Sequence, residues 1–134
     1  MADLTQTAAD VRATASTHTV NGKCGEAFVP GDWGYLNATD SKWYQTLSAT
    51  AAQAAAGGMA MSNGALDTFV RFADAGDVDT GATGSVGAFA FVSANAGKMK
   101  EALPAAGEFG TVLGGHTTAA NFRIAIKTLG EAVV

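Results

Sequence analysis

Glycine-centred turn signals cut most of this 134-residue chain into short runs. Asn63-Gly64, Ala75-Gly76, Ala96-Gly97 and Ala106-Gly107 recur at roughly ten to twelve residues or a multiple of that spacing. Many short antiparallel strands require such a cadence, which predicts an all-β, mainly antiparallel fold: a small barrel or sandwich with at most one short helix. The runs between the turns do not resemble one another, so the pattern is not a solenoid repeat.

The runs themselves support this reading. Residues 28–44, "FVPGDWGYLNATDSKWY", hold both tryptophans and both tyrosines of the chain and read as a β-hairpin, with Pro30-Gly31 setting the first turn. "SATAAQAAAGG" favours a helical turn stopped at Gly57-Gly58. Met59 to Met61 resumes the β pattern, and Val70 and Phe72 then alternate with Phe69 and Arg71. "ADAGDVDTGATG" has loop chemistry. Residues 85–93 and 109–113 follow as strands, with a break at Pro104. In "NFRIAIKTL", Phe122, Ile124 and Ile126 form one apolar face of a last strand over 121–128.

Residues 1–25 differ from the rest. They are rich in Thr and Ala, lack aromatics, and offer only Leu4, Ala8, Val11 and Ala15 as a weak helical stripe. The expected organisation is an extended N-terminal arm over 1–25, ordered by lying on a partner, and a single β domain over 26–134. Leu4 and Val11 are the arm's candidate contact residues.

Charge and composition exclude several function classes. A formal charge of −4 and scattered basic residues argue against nucleic-acid binding. No run approaches the ~20 apolar residues of a membrane helix, so no membrane partner is expected. The opening "MADLTQTAAD" has neither a basic start nor an apolar core and does not read as a signal peptide, and the single Cys24 forms no intrachain disulfide. Charged residues make up only 15% of the chain, beside 17 glycines, a composition suited to close contact with other subunits.

The chemical motifs fail one by one. Gly110 to Thr117 imitates a phosphate-binding loop, but His116 stands in place of the lysine and a strand follows instead of a helix, so a glycine corner is expected. Asp74, Asp77 and Asp79 lack the glycine and glutamate of a calcium loop and read as an acidic turn. His18 and His116 show no zinc spacing, and Cys24 has no activating neighbour in sequence. No G-x-S-x-G elbow is present, and Glu26, Glu101, Glu108 and Glu131 are dispersed. No enzymatic activity, cofactor or metal is expected.

The order of motifs carries more than any one of them. "VPGDWGYLNATDSKW", then "TAAQAAAGGMAMSNGALDTFVRF", "GDVDTGATGSVGAFAFVSANAGKM" and "GTVLGGHTTAANFRIAIKT" together resemble the small cement or decoration proteins of tailed-bacteriophage capsids, over residues 26–129. The resemblance implies a homotrimer on the outer surface of the virion, bound to the major capsid protein and stabilising the expanded head after assembly in the host cytoplasm. Trp33, Tyr35, Trp43 and Tyr44 are then candidate interface anchors together with Leu4 and Val11. The competing reading is a β-rich binding module in which the same four aromatics form a platform for a carbohydrate or a peptide, or another structural virion protein.

Overall fold

The structure, a computed structural model, describes residues 3–4, 6–82, 84–118 and 120–133, with the backbone alone at 129 and 130. The strands are β1 (Val11–Ala13), β2 (His18–Lys23), β3 (Trp33–Leu36), β4 (Trp43–Gln45), β5 (Gly58–Ala60), β6 (Phe69–Thr80), β7 (Phe89–Val92), β8 (Met99–Lys100), β9 (Phe109–His116) and β10 (Asn121–Ala132). All pairs between these strands are antiparallel. The alanine run forms one short helix, α1 (Ala51–Ala54), whose first turn is capped by the Thr50 side chain accepting from the Gln53 N–H. The mainly antiparallel β fold with a single short α-helix is as expected.

Strand β6 organises the molecule. The sheet runs β4-β3-β5-β6-β10-β9-β7-β8, with β1 and β2 laid along the other side of β6. The first half of β6 pairs with β2 and β5, and its second half with β1 and β10. One long strand thus belongs to two sheet portions that curl around two cores, giving a half-barrel. Phe72 and Val70 point into the first core with Cys24, Phe28 and Trp43. Val78 points into the second, with Trp33, Met59, Leu113, Phe122 and Ile124. Burial of one face of each strand against these side chains supplies the main stabilisation, at roughly 25 cal/mol per Å² of apolar surface removed from water.

Three expectations require correction. "ADAGDVDTGATG" is a strand as far as Thr80, because Val78 and Thr80 are fully buried and the backbone is paired on both sides. Ala75-Gly76 is a bend within that strand, and its loop chemistry is overridden by two neighbouring ladders. The glycine corner expected at 110–117 also lies inside a strand, β9, as far as His116. Its glycines serve close approach instead: a Cβ at Gly114 would overlap the Arg123 carbonyl of β10.

The third concerns residues 1–25. The helical stripe is limited to one 3₁₀ turn at Ala8–Asp10. The rest of the described segment is extended and joined to the domain: Leu4 N–H donates to the Met99 carbonyl, Thr7 N–H to that of Gly81, and β1 and β2 pair with β6. Backbone pairing, to which a reading of apolar content is blind, holds this segment.

Candidate interaction surface

The aromatic hairpin forms as predicted, with Tyr35 opposite Tyr44 and Leu36 opposite Trp43 across β3 and β4. Its rings turn inward. Trp33 is fully buried and meets Phe122 edge-on at 5.8 Å, while Trp43 stacks on Phe72 with ring centres 4.1 Å apart. Tyr35 is also buried, and only Tyr44 is half-exposed, donating its hydroxyl to Asp40. Three of the four rings therefore present no open face on which a sugar could stack. Val11 is buried and Leu4 partly so, both against the second core of this same chain. Of the six candidate anchors, Leu4, Val11 and Trp33 meet in the second core, Trp43 lies in the first, and Tyr35 and Tyr44 neighbour each other across the hairpin.

The titratable groups are equally committed. Asp74 pairs with His18 Nδ1 at 2.6 Å, Asp77 with Arg123 Nε at 2.9 Å, and Asp79 accepts from the Gly81 N–H, so the three aspartates serve three separate partners. Among the described residues no cluster of three or more His, Cys, Asp or Glu could hold a metal ion. Cys24 is buried, and burial pushes its thiol up, away from the reactive thiolate. His116 is buried beside Phe122, and burial pushes its pKa down. Glu108 is the most perturbed carboxylate: the Lys100 ammonium at 2.7 Å, aided by the Ser48 hydroxyl and the Ala105 N–H, brings its pKa down to about 2. The contacts that engage these groups lie within the chain's own fold: His18 with Asp74 and Lys100 with Glu108 are ion pairs, and Cys24 and His116 sit among core side chains.

What the surface does offer is apolar. Leu36, Leu66, Phe69, Val86, Phe89 and Leu103 are each more than half exposed. Val86 and Phe89 lie opposite His116 and Gly115, neighbouring positions of β9. Leu36 and Phe69 line an open groove of about 620 Å³ between β2 and the β3–β4 hairpin, whose walls include Val20, Asn21, Lys42 and Trp43. None of these exposed residues was among the sequence candidates. Phe69 had a legible signal, because it alternates with Val70 and Phe72 and so falls on the charged face beside Asp67 and Arg71. A phenylalanine on the solvated face of a strand leaves its ring in water.

No known protein-family model matches the chain, and no curated protein is similar enough to it to count as a relative.

Proposed function

We propose that this protein is a capsid decoration protein of a tailed bacteriophage: a homotrimer that binds the outer surface of the major capsid protein lattice and stabilises the expanded head. The order of sequence motifs over residues 26–129 supports the reading. The observation that carries it is the surface itself, where six large apolar side chains are more than half exposed on a chain with only 15% charged residues. A subunit that works by spreading contact over a lattice has use for exposed apolar side chains. Threefold attachment multiplies a modest single contact through effective concentration. Acidity of −4 keeps such a protein off the packaged genome.

Two measurements test it. Sedimentation equilibrium is expected to give three chains of 13.4 kDa each, in solution or on the shell. Co-sedimentation with expanded, undecorated tailed-phage shells is expected to bring the protein down in stoichiometric amounts. Failure to bind any shell of a varied set would overturn the proposal. The second reading, a peptide-binding module, is favoured by one observation, the groove beside β2; it predicts peptide capture by a monomer that ignores shells.

A further inference from the structure

Among the described residues, strand β2 pairs with β6 on one side and has no strand partner on the other. Cys24 exchanges backbone hydrogen bonds with the β6 side, its N–H donating to the Thr68 carbonyl and its carbonyl accepting from Asp67. The period of two along a strand then directs Gly22 and Val20 to β6, and turns Thr19, Asn21 and Lys23 away from it. Arg71 confirms the register from the other side: paired with Asn21, it gives its own carbonyl to the Met61 N–H, away from β2. At Gly25 the outward edge is closed, because its N–H donates to the Trp43 carbonyl. The parallel bridge between Cys24 and Trp43 also engages the Lys23 carbonyl, and from the Lys23 N–H back to Thr19, β2 and the β3–β4 hairpin diverge, with the groove between them.

We propose that this wedge receives an extended, carboxylate-bearing segment of a partner chain, which adds as a strand to the free edge of β2. An open row of backbone donors and acceptors is a template for one kind of occupant, a strand about 4.8 Å away. The charges select its chemistry. Asp40 is engaged by Tyr44 and Asp67 by the Lys42 ammonium at 2.8 Å, whereas Lys23 and Arg71 have no ion-pair partner among the described residues. Lys23, Lys42 and Arg71 set against Asp40 and Asp67 leave this side of β2 one positive charge in excess, which favours an acidic occupant. Lysine on an edge strand also deters unwanted pairing. A merely guarded edge, however, would not set Phe69, 71% exposed, directly opposite Lys23. The inference rests on edge geometry and holds whatever protein supplies the segment.

The test uses the full chain, ¹⁵N-labelled, titrated with the peptide acetyl-EVTVEVTVE-amide and with its lysine counterpart, acetyl-KVTVKVTVK-amide. Saturable shifts at the Thr19, Asn21 and Lys23 amides are expected with the acidic peptide, and binding at least about tenfold weaker with the basic one. Asn21→Pro removes an N–H that faces the groove and lies outside the β2–β6 ladder, so peptide binding is expected to fall by about tenfold or more while thermal melting is unchanged. Lys23→Glu, which leaves the backbone alone, is expected to weaken the acidic peptide by about tenfold. Equal binding of both peptides, no binding, or shifts confined to other strands would overturn the proposal. So would concentration-dependent shifts of the β2 amides without peptide, which would assign the edge to a second copy. Shell binding is a separate readout: its loss with intact peptide binding refutes the decoration reading alone.

Discussion

The Cα of Gly76 sits directly against the carbonyl of Ser16. A Cβ at this position would overlap that oxygen, and the residue holds a φ of +86°. This contact is where β6 passes from one sheet portion to the other, and where the chain between β1 and β2 bows outward: the Ser16 hydroxyl accepts from the Asp77 N–H, and Thr14 and Thr17 both donate to the Asp77 carbonyl. Only glycine satisfies both the left-handed backbone and the close approach.

Gly76→Ala is accordingly expected to destabilise the protein by roughly 3 kcal/mol or more, adding steric displacement of Ser16 to about 1–3 kcal/mol of backbone strain. Urea denaturation measures it. A change below about 0.5 kcal/mol would show that the strand bends elsewhere.

A second prediction concerns mild acid. His116 is 2% exposed and its Nδ1 has no hydrogen-bond partner, while Nε2 lies 3.4 Å from the Thr80 hydroxyl. Burial lowers its pKa below 6.5 and outweighs the carboxylates of Glu101 and Asp79, which act in the opposite direction. With the folded pKa depressed, the unfolded chain takes up the proton first. Stability is therefore complete above about pH 6.5 and is lost as pH falls toward the folded value, by at most about 1.4 kcal/mol per pH unit. His116→Leu is expected to flatten the melting temperature between about pH 7 and pH 5. An unchanged slope in the variant would locate the titrating group elsewhere.

Stronger acid engages a different site. Glu108 has its pKa lowered from 4.5 to about 2, so its contribution is present above pH 4.5 and disappears as pH falls through about 2. The carboxylate ties the turn at Ala105 to Lys100 of β8 and to Ser48, and the backbone alongside adds the Phe109 N–H donating to the Ser48 carbonyl. Glu108→Gln keeps the shape and removes the charge. It is expected to lower stability by roughly 1–3 kcal/mol at neutral pH and to make the decline between pH 4.5 and 2 shallower, the remainder coming from Asp40, Asp67 and Asp77, whose pKa values their partners also lower. Parallel acid-denaturation curves for both proteins would contradict this.

These sites show which parts of the structure were legible in the sequence. Strands with strict alternation were: Phe122 and Ile124 are buried as the period of two requires, and Ile126 is partly buried beside them. The hairpin and the alanine helix were also readable, since turn and cap residues act locally. What local chemistry hid was long-range pairing. Nothing in "ADAGDVDT" announces a strand until β1 and β10 flank it, and nothing in residues 11–23 announces two strands until β6 lies beside them. The groove was hidden for the same reason, because it exists only where β2 and the β3–β4 hairpin part.

The aromatic cluster yields the last prediction, and the structure changes its sign. Read as a hairpin anchor, Trp43 is a residue whose loss weakens assembly and spares the fold. In the structure Trp43 is 7% exposed, its ring stacked on Phe72 and framed by two glycines that leave room for it. A Cβ at Gly22 would overlap the indole Nε1–Cδ1 edge, and one at Gly57 would come within 2.7 Å of Cη2. The backbone of Trp43 also closes the seam through Cys24 and Gly25. Trp43→Ala therefore opens a cavity at the centre of the first core and is expected to cost roughly 3–5 kcal/mol. Any loss of assembly should follow from that destabilisation, and should be recovered when the variant is assayed at a temperature where it remains folded. Urea denaturation paired with sedimentation decides the matter: full stability with lost assembly would mean that the ring serves a neighbouring chain, whereas reduced stability with normal association when folded places it in the core of its own.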